Sequence, residues 1–133
     1  MGKYAEGTRV PADRSRAEIE QILKRYGATH FGYATMPGVV MLAFESKGRR
    51  VRFKVPVPDP EKAAQAHRQK WRAVVLAIKS KLESVESGIE QFDEAFMAQI
   101  VLPDGRTMAE FAQPQIAKAY TSGTMPPLLG HDP

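Results

Sequence analysis

The densest run of chemistry-bearing residues is Lys47-x-Arg49-Arg50-x-Arg52-x-Lys54. Side chains on a β-strand alternate between its two faces. Arg50, Arg52 and Lys54 would therefore line one side, and Val51, Phe53, Val55 and Val57 the other. Neighbours in such a row stand about 7 Å apart, the order of the step between phosphates along a nucleic-acid strand. Arg68, Lys70 and Arg72 follow closely and add to the same positive charge. Phe31 and Tyr33 share one face of the preceding strand. Beside the arginines they would stack on unpaired bases; facing the other way they are core. A row of this kind also serves as a plain solubilising face that guards a sheet edge.

Other chemistries lack their residues. His30, His67 and His131 are far apart and form no H-x-x-x-H or H-x-H spacing, so no metal site is expected. The chain has no cysteine, which removes disulfides, thiolate ligands and thiol nucleophiles. No glycine-rich strand-to-helix turn or G-x-S-x-G elbow is present, so no phosphate loop, dinucleotide cofactor or serine nucleophile is expected. The carboxylates fall on what reads as a solvated helix face, without the apolar setting that a general acid needs. The sequence predicts no enzyme and no cofactor.

Charge is distributed unevenly along the 133 residues. Residues 1–81 hold 17 Lys/Arg against 7 Asp/Glu, a net of +10, while residues 82–133 hold 2 against 8, a net of −6. Such a split points to a polyanion partner for the basic half, or to self-association that pairs the halves.

These residues need elements to position them. Residues 1–13 read as a flexible arm, followed by a capping box at Ser15-Arg16-Ala17-Glu18. The helix it opens buries Ile19, Ile22, Leu23 and Tyr26 and stops at Gly27. Three short strands follow as a meander: His30–Ala34, Val39–Glu45 and the alternating run from Val51, whose Pro56 and Pro58 suit an edge or a strand end. From Trp71 to Phe96 apolar residues then recur at Trp71, Val75, Ile78, Leu82, Val85, Ile89, Phe92 and Phe96 in steps of four and three. With Asp59 as cap and Pro60 at the first position, the helix would run to Ala98, about 58 Å at 1.5 Å per residue. That exceeds the roughly 30 Å breadth of a domain this size, so it must break near Gly88 or project and find a partner.

Its first half is basic and its second half acidic, against the helix dipole. Two such helices packed antiparallel would match charge and bury a seam of Trp71, Val75, Ile78, Leu82, Val85 and Ile89, giving a homo-oligomer. Packing of the same seam inside one chain is the alternative. A second capping box, Thr107-Met108-Ala109-Glu110, opens a C-terminal helix that Pro114 should kink or divide and Gly123 should end. The tail Met125-Pro126-Pro127-Leu128-Leu129 reads as extended, docked on the protein's own surface or in a partner's groove.

The prediction is one α+β domain over 1–133, with the helix and small sheet in 14–58, the long helix in 59–98, and the C-terminal helix and tail in 99–133. No apolar run approaches the length that crosses a bilayer, and the first residues lack an apolar signal core, so a cytoplasmic protein is expected.

Three segments together resemble a known group: Val10–Glu18 with Arg25–Ala28; the Val51–Pro58 strand; and Leu102–Thr107 running on to Gln113–Ile116 and Met125–Leu129. They are similar to small uncharacterised proteins encoded by bacteriophages and prophages. The resemblance carries no assigned activity or catalytic residue. It implies a phage accessory role in a bacterial cytoplasm. The leading expectation is a nucleic-acid-binding protein of phage DNA metabolism, contacting single-stranded or duplex nucleic acid through Lys47, Arg49, Arg50, Arg52 and Lys54 with Arg68, Lys70, Arg72, Phe31 and Tyr33. The alternative is an inhibitor or adaptor that binds a host protein through the acidic helix half or the Pro-Pro-Leu-Leu tail.

Overall fold

The computed structural model describes the backbone of residues 2–125 and the side chains of residues 12–125. The chain is α+β, as the patterning predicts. Helix α1 (Gly2–Arg25) leads into strands β1 (Thr29–Met36), β2 (Val39–Ser46) and β3 (Arg49–Pro56). Then come α2 (Ala64–Glu86), the single turn α3 (Phe92–Ala95), a 3₁₀ turn at Met97–Gln99, and α4 (Met108–Ser122). The strands form one antiparallel sheet in the order β1-β2-β3. Helices α1 and α2 cover one face of it, and their apolar stripes meet Val40, Leu42, Phe44 and Val51 in one core.

Helix α1 departs from the expected start. It begins at Gly2, so the stretch read as an arm is helical and Ser15 is not its cap. Ser15 is buried inside the helix, in register with Ala12, Ile19 and Ile22 on the face turned to the core. Glu18 does not reach back to close a box; its carboxylate takes Arg72 of α2 at 3.1 Å and lies 3.9 Å from Lys79. Packing between α1 and α2 overrides a local signal of about 1 kcal/mol.

Helix α2 ends at Glu86, two residues before Gly88, where the seam needed an interruption. Gly88 takes φ +77°, a conformation that a residue with a Cβ rarely adopts, and Ile89 N–H closes back on Ser84 O at 2.9 Å. The remaining 23 residues span about 34 Å, close to the breadth of the domain. At the other end Asp59 caps a separate turn, accepting Glu61 N–H at 2.9 Å, and α2 begins only at Ala64.

The seam offered to an oligomer is used within the chain. Trp71, Val75, Ile78 and Leu82 are buried in the core and Val85 is half-buried, whereas Ile89 sits on the turn, 77% exposed. The chain re-enters the core at Phe96, which meets Phe44 and Phe53 edge-on at 5.8 and 6.2 Å and stacks on Phe92 at 4.7 Å.

Thr107 caps α4 as predicted: its hydroxyl accepts Glu110 N–H while Glu110 returns to Thr107 N–H. Pro114 does not divide α4, which continues to Ser122 and stops at left-handed Gly123. The tail expected to be extended lies, from Pro126 onward, outside the described residues.

Candidate nucleic-acid interface

The register of the sheet fixes which side chains share a face. Leu42 pairs with Tyr33 and Phe53, and Val40 with Thr35 and Val55; these rows point into the helical layer. The alternate rows point outward: Glu45 with Arg50, Ala43 with Gly32 and Arg52, Met41 with Ala34 and Lys54, and Val39 with Met36 and Pro56. This outer face therefore has Arg50, Arg52 and Lys54 along β3, as the alternation predicts. An apolar band of Val39, Met41 and Ala43 runs along β2, with Ala34 and Met36 beyond it on β1. Met36 is 44% exposed, and Val39, Met41 and Ala43 are only half-covered although they lie in the central strand.

The turn that joins β2 to β3 presents a further cation. Ser46 pairs with Arg49, leaving Lys47 and Gly48 as a two-residue loop in which both have positive φ, +55° and +73°. Asn, Asp or Gly suit these positions. A lysine there costs about 1 kcal/mol of backbone strain and sets its ammonium at the tip of the hairpin.

Not all the cations face solvent unopposed. Arg49 makes a two-pronged contact with Asp93 of α3, Nε to Oδ1 at 3.1 Å and Nη2 to Oδ2 at 2.9 Å. Those hydrogen bonds, and then the charge of Asp93, hold the Arg49 guanidinium above its usual pKa. Arg52 reaches over the β3 edge to α4, donating to Glu110 Oε1 at 3.0 Å and Gly105 O at 3.1 Å. Glu110 lies below the ordinary carboxylate range, chiefly because it accepts the Thr107 N–H, with Arg52 contributing less. Arg50 stands 3.9 Å from Glu45, which is also 3.5 Å from His30. Lys54 and Lys47 make no ion pair among the described residues. Past Arg50 the face opens onto a shallow groove of about 630 Å³ beside residues 100–103, where Glu45 joins Arg49 and Arg50 in the lining. That end is electrostatically mixed, and the Lys54 end is purely positive.

The structure does not bring the remaining expected residues to this face. Phe31 and Tyr33 turn to the helical side at the β1 edge, where Phe31 packs on the core and Arg16 of α1 lies 4.1 Å above the Tyr33 ring. They cannot offer stacking platforms beside the arginines. Arg68, Lys70 and Arg72 belong to α2, on the opposite side of the sheet from Arg50 and Lys54, and Arg72 is paired with Glu18.

The acidic set is also dispersed. Glu83 and Glu86 end α2, Glu90 bonds Ser84 on the turn, Asp93 holds Arg49, and Glu94 caps α3, so no single acidic helix face exists. The Pro-Pro-Leu-Leu segment lies outside the described residues.

Two partners of the basic row escape sequence reading. Asp93 and Glu110 stand 44 and 58 residues from the arginines they bind, and no local pattern links them. The acidic balance of residues 82–133 was their only trace. Among the described residues no helix is long and apolar enough to cross a membrane, and no three His, Asp or Glu side chains are grouped to hold a metal ion. Set against protein-family models, curated proteins and solved structures, the chain matches none.

Proposed function

We propose that the protein is a non-enzymatic binding protein that holds a nucleic-acid backbone against the outer face of its sheet. One observation carries the reading: Arg50 and Lys54 stand on a face that no described helix covers, with Arg52 between them held by Glu110 and Gly105 O at the β3 edge. Lys47 extends the row around the hairpin tip at a backbone cost that Asn would avoid. The contact is to phosphates and is indifferent to sequence, since the aromatic rings lie on the other side. The resemblance to small phage proteins implies an accessory role and leaves open DNA metabolism against interference with a host defence system; the basic face favours the former.

The test is binding of a fluorescent oligonucleotide across a salt series, with Arg50→Glu/Lys54→Glu as the control. Arg52 is left in place because it also ties β3 to α4. About three neutralised phosphates give a log–log salt slope near −2 to −3. The double variant should bind at least tenfold more weakly with an unchanged melting temperature. Absence of binding at low salt would end this reading.

A second reading draws on α4. Beyond Pro114 the helix carries Ile116, 52% exposed, and Tyr120, 88% exposed, and none of its residues is fully buried. An uncovered apolar stripe of this kind is a contact surface for a host protein. Ile116→Ser/Tyr120→Ser would separate the two readings, because it leaves oligonucleotide affinity unchanged if the sheet face acts alone.

A further inference from the structure

Resting on the nucleic-acid reading, we infer that the outer face selects a single strand over a duplex, with phosphates along β3 and bases lying across the apolar band of β2 and β1. Three features of the face point the same way. Its cations form a single row at one side, not two rows flanking a cleft as the two backbones of a duplex would require. Next to that row, Ala43, Met41 and Val39 on β2 and Ala34 and Met36 on β1 give a flat, uncharged surface that no described element covers. Strands lie about 4.8 Å apart, so this band spans the first 5–10 Å from the phosphate row, the reach of a base from its own phosphate.

A duplex keeps its base faces stacked inside and its edges in the grooves. It would leave the apolar band wet and touch the row through one backbone only. A single strand covers both parts at once: its anionic side meets Lys54, Arg50 and Lys47 at the hairpin tip, and its unstacked bases cover Met41 and Met36. Aliphatic side chains have no ring plane to prefer one base, and Met adapts its shape to what lies on it. The selection is therefore for strandedness and is tolerant of sequence. The charge gradient along β3 adds a direction: Glu45 and His30 crowd the Arg50 end, so the tightest phosphate site is at Lys54.

The experiment compares one fluorescent 12-nucleotide strand with its blunt duplex at fixed salt. The proteins are the wild type, Met36→Gln/Met41→Gln and Arg50→Glu/Lys54→Glu. Gln keeps the length of Met and removes its apolar character, and both residues lie on the outer face, outside the buried core. The wild type should favour the single strand at least tenfold. The Met double variant should lower single-strand affinity three- to tenfold, leave duplex affinity unchanged and keep the salt slope. The charge-reversed variant should weaken both. Equal affinity for the two forms, or a Met double variant that binds the strand like the wild type, would overturn the selection and leave the phosphate row standing. Failure of the wild type to bind either form would overturn the nucleic-acid reading itself.

Discussion

The two faces of the sheet are built from alternate residues of the same three strands, yet they end in opposite conditions. On the inner face Val40, Leu42, Phe44 and Val51 are sealed under α1, α2 and the Phe96 corner. On the outer face Val39, Met41 and Ala43, each one residue along from a sealed neighbour, remain partly exposed, and Met36 more so. Stability needs only one apolar face of a sheet to be buried. The apolar content of the second face is therefore not required for burial, and its position beside the basic row is what the proposed strand contact draws on.

The contrast between the two faces is largest at Phe96. Phe96→Ala empties the corner where four aromatic rings meet, and a loss of about 3–5 kcal/mol is expected in denaturant unfolding. A loss below 1 kcal/mol would mean that the inner face is not close-packed.

A middle-sized effect belongs to His67. It is buried at the start of α2 and its Nδ1 has no hydrogen-bond partner among the described residues. Burial holds its pKa below the usual 6.5, with Asp59 opposing in part. The folded chain thus resists the proton that the unfolded chain accepts, and stability should fall as pH drops through about 6.5. His67→Gln should flatten that slope; an unchanged profile would point to a carboxylate as its source. The smallest change is expected on the outer face, where Met41→Ser should move stability by only about 0.5 kcal/mol. A loss at Met41 comparable to that at Phe96 would erase the distinction between the faces.

Much of this arrangement was legible in the residues. The alternation of Val51, Phe53 and Val55 with Arg50, Arg52 and Lys54 specified the β3 faces because a strand has a period of two and one face had to be buried. A helix of about 58 Å had to break near Gly88 or project, and the chain takes the first course, closing α2 just before Gly88. Thr107 and Glu110 gave the α4 cap because both halves of that box are local. Ser15 and Glu18 carried the same local signature and misled, since Glu18 was claimed by Arg72, 54 residues away. Phe31 and Tyr33 were ambiguous for a related reason. Their facing depends on strand register, which here shifts between Thr29 and Gly32. The charge split between the two halves was correct as arithmetic, and within one chain part of it resolves into the Arg49–Asp93 and Arg52–Glu110 contacts.

That register shift in β1 also bears on how the protein behaves at high concentration. Among the described residues β1 is one edge of the sheet, with a free side open to pairing, while the other edge, β3, is closed at its start where Val101 N–H bonds Arg50 O. An unbroken edge would template a further strand and, from there, a growing aggregate. The irregularity between Thr29 and Gly32, with His30 at φ +56°, interrupts that template and leaves only the segment from Gly32 to Met36 regular. A five-residue edge is a poor seed for fibre growth. The same small defect that hid the orientation of the aromatic rings thus acts as a guard on colloidal stability.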